Sequence, residues 1–166
     1  MKGAPVLQVL NCAVYLFALG MAVLALGKLL PRKWFPADRF PFKSWRWERN
    51  GRIYRKLRLQ RWKDRMPDAS LRSKNMVKKK TGTHPDDRLL QTLVAETCVA
   101  EISHWALMVF SLPVLWIHPG TGGRIIMLLC ILGNLVFVII QRYNRPRLLR
   151  ALKMRSGPRQ NIVSCP

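Results

Sequence analysis

The sequence predicts an all-α integral membrane protein with about three transmembrane helices and a basic, aromatic segment between the first and the second. Two observations support this prediction. The 166 residues include 29 Lys or Arg against 8 Asp or Glu, a formal net charge of +21, and yet 49% of the chain is hydrophobic. Such a charge makes a compact soluble core repel itself, and a disordered chain does not group its apolar residues into long runs.

Recognisable metal and catalytic motifs are missing from the sequence. Cys12, Cys98, Cys130 and Cys165 lie far apart without CxxC spacing, so neither a thiolate metal site nor a disulfide framework is indicated. There is no GxSxG, P-loop or GxGxxG motif. We therefore expect no metal and no resident cofactor.

The first element, residues 1–30, is predicted to be an N-terminal membrane anchor. Residues 6–27 carry no charge and are numerous enough to cross a hydrocarbon core of roughly 30 Å as a helix. A cleaved signal peptide is the alternative, because small residues at 25–27 resemble a cleavage site. We favour retention, since the apolar run is longer than a usual signal and the next segment is strongly basic.

Residues 31–88 form a basic, aromatic interfacial segment. They contain 19 Lys or Arg and 6 acidic residues, interleaved with Trp, Phe and Tyr. This composition is typical of a segment that lies against anionic headgroups. Residues 48–65 can be helical, and residues 70–87 read as a loop.

Residues 89–141 are predicted to form a transmembrane helical hairpin, and residues 142–166 a basic cytoplasmic tail. Apolar runs at 89–118 and 125–141 are separated by turn residues, so the two helices must be antiparallel neighbours. The basic central segment and the basic tail can both face the cytoplasm. The sequence thus predicts a multi-pass cell-membrane protein with its N terminus outside and its C terminus inside.

Three ionisable residues lie within or just ahead of the second span. Glu96, Glu101 and His104 fall on an arc of about 140° of one helix. Ionisable groups inside a span are costly and normally face a protein interior or a wet cavity, so this face is the leading site candidate. An interhelical salt bridge is the alternative interpretation.

The register of the hairpin suggests a partner for Glu101. If Ile117 lies opposite Ile125, Glu101 is level with Gln141 and Arg142. The acidic Glu101 and the basic Arg142 would then lie at the same depth in the membrane.

The same register aligns the other polar residues. Glu96 is level with Pro146, His104 lies near Val138, and Asn134 is about one further turn into the membrane. This arrangement predicts a polar pocket just beneath the cytoplasmic headgroups.

Four motifs carry a family resemblance. They are ERNGRIY at 48–54, WKD at 62–64, AEISHW at 100–105 and QRYNRPRL at 141–148. In order and spacing they resemble the glycosyl-4,4'-diaponeurosporenoate acyltransferase family of staphyloxanthin-type carotenoid biosynthesis, over roughly residues 31–150. The resemblance implies a membrane acyltransferase that esterifies a sugar hydroxyl of a glycosylated C30 carotenoid acid, or a related glycolipid, with a fatty acyl group.

Candidate roles follow from the chemistry of acyl transfer, which needs a base and groups that stabilise an oxyanion. His104 is the predicted catalytic base, and Glu101 is predicted to orient its ring or hold its charge. Arg142, Asn144 and Arg145 are predicted to bind an anionic thioester donor or the oxyanion.

Further binding candidates lie on the basic segment and on the polar helix face. Arg52, Lys56, Trp62 and Lys63 are predicted to hold the donor's phosphates at the membrane surface, and Glu96 is a further candidate for substrate or donor binding. The expected co-substrate is an acyl thioester on coenzyme A or an acyl carrier protein. The other expected partners are membrane lipids and a lipid-linked sugar acceptor, with no nucleic acid.

Two non-enzymatic functions also fit the charge pattern. The chain could bind anionic lipid or nucleic acid through its basic segment, or it could be an accessory subunit of a membrane complex. Lipid or nucleic-acid binding gives no reason for Glu101 and His104 inside a span, so we rank it below acyl transfer.

Overall fold

The structure, a computed structural model, describes residues 5–48, 53–56 and 87–156. Within this part of the chain all regular structure is helical and no strand occurs. The α-helices are α1 (Pro5–Leu29), α2 (Ile53–Lys56), α3 (Asp87–Phe110), α4 (Val114–Ile117) and α5 (Thr121–Ser156), with short 3-10 helices at Arg32–Trp34 and Arg46–Glu48. The predicted fold class is confirmed.

In the part of the chain that the structure describes, three stretches are long and apolar enough to cross a membrane. They are Pro5–Leu29, Asp87–Ile117 and Thr121–Arg155. This agrees with the prediction of three spans. The chain divides into a first unit, Met1–Leu30 with Ala100–Val138, and a second unit, Pro31–Val99 with Ile139–Pro166.

Helix α1 exposes apolar side chains on most of its surface, as a lipid-facing span requires. Cys12 is its one buried residue among those described. The helix ends where Pro31 disfavours helical geometry at the residue before it. Inside the first unit α1 packs against α4, and the Tyr15 hydroxyl donates a hydrogen bond of 2.7 Å to the Phe110 carbonyl.

The second span is interrupted after Phe110, whereas the sequence predicted one continuous apolar run. Pro113 has no N–H to offer the Val109 carbonyl, which accepts from Leu112 instead. The Val114 N–H bonds to the Ser111 carbonyl, and this leaves the Phe110 carbonyl without its usual helical donor. The Tyr15 hydroxyl supplies the missing donor.

Of residues 118–123, which were predicted to form the turn between the two helices, residues 118–120 do so and residues 121–123 already belong to α5. Glycine is required here for two reasons. Gly120 has a φ of 101°, which side-chain-bearing residues rarely adopt. At Gly123 a Cβ would lie 1.9 Å from the His118 carbonyl oxygen. The chain therefore reverses tightly and α5 begins at once.

Helix α5 continues well beyond residue 141, where the basic tail was expected to begin, and reaches Ser156. Pro146 lies inside it and removes one helical N–H. Buried side chains on both sides of the proline, Tyr143 and Leu152, hold this part of the helix in the second unit. Much of the predicted tail is thus helical.

The interfacial segment is described only in part. Residues 31–48 form 3-10 helices and turns, with Phe42 and Glu48 buried. Of the helix predicted at 48–65, the structure describes Ile53–Lys56 as helical, and residues 57–65 lie outside the described residues. Residues 70–86 of the predicted loop also lie outside them, and α3 begins at Asp87.

Candidate active site

Glu101 and His104 lie on one side of α3, three residues apart in the first unit. The Glu101 side chain is fully buried, at 1% exposure, and His104 is half-buried. Both residues are therefore withdrawn from bulk solvent, as ionisable groups in a span normally are.

The His104 ring is held by two residues of α5. Its Nδ1 lies 2.9 Å from Oδ1 of Asn134. Its face stacks on Phe137, with ring centroids 4.9 Å apart and planes 8° from parallel. Asn134 in turn donates from Nδ2 to the Cys130 carbonyl at 2.8 Å. The edge and the face of the imidazole are thus both fixed by the facing helix.

The contacts with Asn134 and Phe137 show that α3 and α5 are neighbours in the first unit. His104 was expected to lie near Val138, with Asn134 about one turn further in, and its ring meets Phe137, beside Val138, as well as Asn134. The observed register therefore agrees with the prediction to within about one helical turn, although the structure breaks the helix after Phe110 and inserts α4. Pairing of the ring with a polar amide also satisfies both groups in an apolar medium.

The residue at Nδ1 of His104 was missed as a site residue by the sequence reasoning. Glu101 was predicted to orient the ring, whereas the atom facing Nδ1 belongs to Asn134. The available signal was a lone asparagine within the apolar run of α5, where amides need a hydrogen-bonding partner. We name His104, Asn134 and Phe137 the imidazole cluster.

In the second unit, Glu48 is the centre of a buried ionic cluster. It is 1% exposed, and its carboxylate accepts hydrogen bonds from Arg142 Nε at 2.5 Å, the Tyr54 hydroxyl at 2.7 Å and the Trp45 N–H at 2.9 Å. Burial acts to raise the pKa of Glu48, but these hydrogen bonds and the positive charge of Arg142 outweigh it and lower the pKa below its ordinary value. Burial and the bond to Glu48 raise the pKa of the Tyr54 hydroxyl.

Arg142 has further bonds to the same segment of chain. It donates to the Pro41 carbonyl at 3.1 Å and to the Lys43 carbonyl at 3.4 Å, and its guanidinium lies 4.5 Å from the centroid of the Trp45 ring. The residue is 7% exposed. Its guanidinium nitrogens therefore bind protein acceptors.

Arg145 is held in the same way and is 2% exposed. It donates from Nε to the Thr97 hydroxyl at 2.9 Å, from one terminal nitrogen to the Thr97 carbonyl at 3.0 Å and from the other to the Phe42 carbonyl at 2.6 Å. Both guanidiniums are buried on protein acceptors, and the role predicted for Arg142 and Arg145 as ligands of a donor or an oxyanion stays a prediction. We call Glu48, Arg142 and Arg145, with the backbone they bind, the arginine clasp.

The remaining predicted residues are more scattered. Glu96 forms an ion pair of 2.8 Å with Arg32, with both side chains partly exposed. Asn144 is half-buried in α5. Arg52, Trp62 and Lys63 lie outside the described residues, as does the side chain of Lys56. Among the residues that the structure describes, no group of three or more His, Cys, Asp or Glu could hold a metal ion.

The fold and the polar face of α3 define the class of this molecule, a small helical membrane protein with ionisable groups inside a span. The chain belongs to the glycosyl-4,4'-diaponeurosporenoate acyltransferase family, whose model matches residues 31–154. It is therefore an acyltransferase, and the family resemblance seen in the sequence motifs is confirmed.

Curated relatives support the same assignment. Proteins named glycosyl-4,4'-diaponeurosporenoate acyltransferase from the Staphylococcus aureus strains bovine RF122 / ET3-1, N315 and Newman are 27% identical to this chain over 155 residues, covering 90% of this chain and 92% of each relative. No solved structure matches the chain.

Proposed function

We propose that this protein esterifies a sugar hydroxyl of a glycosylated C30 carotenoid acid, or of a closely related glycolipid, with a fatty acyl group. The proposal is supported by the names of relatives that align with 90% of the chain. The observation that supports a mechanism is the imidazole cluster, because an imidazole whose edge and face are both fixed on a candidate membrane helix suits a general base for a lipid-borne acceptor.

In the proposed reaction the sugar hydroxyl oxygen attacks the carbonyl carbon of an acyl thioester. The hydroxyl proton passes to His104, and a tetrahedral oxyanion forms. Collapse of that intermediate breaks the carbon–sulfur bond, and the imidazolium returns its proton to the departing thiolate. The products are the ester and a free thiol. Glu101, one turn before His104, stabilises the imidazolium while it carries the proton.

The acyl donor is proposed to be a thioester of coenzyme A or of an acyl carrier protein, so the reaction has a co-substrate and no resident cofactor. Arg52, Trp62 and Lys63 would hold its phosphates at the membrane surface, together with Asn144 near the start of the basic end of α5. Cations with interleaved aromatics suit an anionic group at a lipid interface.

Arg142 and Arg145 have a positioning role in this proposal. Their buried guanidiniums hold residues 41–48 to α5 through Glu48 and three backbone carbonyls. That stretch carries the exposed Trp45 and Trp47. The arginine clasp thereby presents aromatic side chains to the headgroups, and membrane lipids are the proposed partner of this surface.

The test is mass spectrometry of lipids and pigments from cells that lack the gene, complemented with single variants. A non-acylated glycolipid should accumulate in the deletion strain, and wild type should convert it to a product heavier by one esterified fatty acid. His104→Ala should lower conversion by at least about 100-fold, because general base catalysis contributes that much or more. Glu101→Gln should also lower conversion, because the imidazolium then loses the charge that stabilises it.

Thr92→Val is the matched control on the same helix, since the Thr92 side chain is exposed and its hydroxyl donates to the Arg88 carbonyl one turn back. It should convert the glycolipid like wild type, and all variants should be found in the membrane at wild-type levels. Conversion by His104→Ala at the wild-type rate would remove the histidine from the mechanism. Unchanged acylated lipids in the deletion strain would overturn the proposed acceptor class.

A further inference from the structure

Asn134 presents a hydrogen-bond acceptor to the His104 ring, and this decides which ring nitrogen carries the proton. The Nδ2 group of Asn134 lies 2.8 Å from the Cys130 carbonyl oxygen. Rotating the amide by half a turn would place two carbonyl oxygens at that distance without a proton between them. The amide nitrogen must therefore face Cys130, and Oδ1, which only accepts, must face His104.

The imidazole nitrogen that meets an obligate acceptor must carry a proton. His104 Nδ1 lies 2.9 Å from Asn134 Oδ1, so Nδ1–H donates this bond. A neutral imidazole has one N–H and one lone pair, and the lone pair consequently lies on Nε2. The Phe137 ring stacked on one face, with centroids 4.9 Å apart, opposes a half-turn of the imidazole, which would put Cδ2 in the place of Nδ1.

We propose that Asn134 is a positioning residue that holds His104 in the Nδ1–H tautomer, so that Nε2 is the atom that takes the proton of the acceptor hydroxyl. This inference rests on the proposed function for its catalytic meaning, but the tautomer itself is a property of the folded chain. The hydroxyl proton moves to the Nε2 lone pair and leaves from Nε2 to the thiolate, while the Nδ1–H bond to Asn134 persists through both transfers.

The choice of an amide, rather than a carboxylate, suits a site inside a membrane. An asparagine fixes the tautomer without adding a charge that would need its own partner in an apolar medium. Cys130, Asn134 and Phe137 lie on successive turns of α5, so the amide and the aromatic face come from one rigid element. Because Asn134 and Phe137 belong to the same helix, the helical backbone fixes their positions relative to each other and so holds the ring.

The tautomer can be measured without turnover. The full chain is prepared in lipid nanodiscs with its three histidines labelled with 15N in the ring, in alkaline buffer where imidazoles are neutral. Each signal is assigned by single His→Gln substitutions. For His104 we expect a protonated Nδ1 and an unprotonated Nε2. Asn134→Leu should shift the ring toward the Nε2–H tautomer, and Asn134→Asp, which keeps an acceptor, should retain Nδ1–H.

Steady-state kinetics of the same variants test the positioning role. Asn134→Leu should lower kcat at least about tenfold while KM stays within a factor of two, because the base is misaligned and substrate binding is not involved. Asn134→Asp should recover most of the lost kcat. Asn134→Leu replaces a polar residue of a span by an apolar one, so the variant is expected to insert and fold.

Three results would overturn the inference. An Nε2–H tautomer of His104 in the wild-type chain would refute the assignment. An unchanged ring spectrum in Asn134→Leu would show that the amide does not set the tautomer, and an unchanged kcat would show that it does not position the base. Failure of the proposed function looks different, since a wild-type chain without transfer activity removes the catalytic role and leaves the tautomer in place.

Discussion

Arg145 uses its three guanidinium nitrogens on three different acceptors, all within the second unit. Nε and one terminal nitrogen meet the hydroxyl and the carbonyl of Thr97, and the other terminal nitrogen meets the Phe42 carbonyl. The Arg145 guanidinium also lies 5.4 Å from the centroid of the Phe42 ring. Only a planar fork can reach these acceptors together, because an ammonium is a compact point charge on a flexible stem.

Arg145→Lys should therefore destabilise the fold although it keeps the charge. We expect a loss of about 1–3 kcal/mol in the free energy of unfolding, since buried acceptors are left without donors. Chemical unfolding of the purified protein in detergent measures it. Arg150→Lys is the control, because the Arg150 side chain is exposed and donates to the Pro146 carbonyl on its own helix. Equal stability of the two variants would contradict this account.

At the scale of elements, the arginine clasp holds the end of segment 31–48 to α5 through contacts with residues 41–48. Such contacts can fix a segment that has little regular structure. Each buried guanidinium donates hydrogen bonds to backbone carbonyls that would be paired within a helix or a sheet. The same segment leaves Phe40 84% exposed, together with Trp34 and Trp47. The segment thus buries Glu48 and exposes the rings of Trp34, Phe40 and Trp47. This combination suits a position at a membrane interface.

The Glu48 carboxylate should make this segment sensitive to acid. Its pKa is lower in the folded chain than the ordinary value of about 4.3, so its contribution to stability is present above that value and is lost as the pH falls through the lowered folded pKa. Glu48→Gln should lower the free energy of unfolding by about 3–5 kcal/mol near neutral pH, because it removes the carboxylate from a buried ion pair with Arg142.

Unfolding followed by tryptophan fluorescence at a series of pH values checks this prediction. The wild-type chain should lose stability in acid, and Glu48→Gln should lose much less over the same range. Asp38→Asn is the control, since Asp38 lies in the same segment but is exposed. Parallel acid profiles for the wild type and Glu48→Gln would show that another carboxylate governs the acid response.

At the scale of the whole molecule, the charges and the three spans together predict an orientation. Residues 31–88 hold 19 basic and 6 acidic residues, and the end of α5 is also basic. Cytoplasmic placement of short basic segments is the general rule for membrane proteins. With three candidate spans, this rule predicts an N terminus outside and a C terminus inside.

Fusions to alkaline phosphatase and green fluorescent protein test the orientation. If the C terminus is cytoplasmic as predicted, a phosphatase fused to it should be inactive and a fluorescent protein fused to it should be bright. Fusion after Gly120, in the turn between α4 and α5, should give the opposite pair of results. An active phosphatase at the C terminus would reverse the predicted orientation.

Much of the fold was predictable because it depends on local composition. Runs without charge become helices that satisfy their own backbone, and Gly120 and Gly123 mark a turn that other residues cannot make. The polar face of Glu101 and His104 followed from helical periodicity alone. The break at Pro113 and the continuation of α5 through Pro146 were not predicted, because each proline's effect depends on which neighbours supply hydrogen bonds.

The sequence by itself determined the class of this protein, its three spans, its charge distribution and its family. These properties follow from residue type and spacing along one chain. Only the tertiary structure decided the partners, since Glu48 meets Arg142 across 94 positions and His104 meets Asn134 across 30. Residues so far apart in the sequence meet only if their segments are aligned in the right register. A shift of one helical turn would bring other residues together, and composition does not specify that alignment.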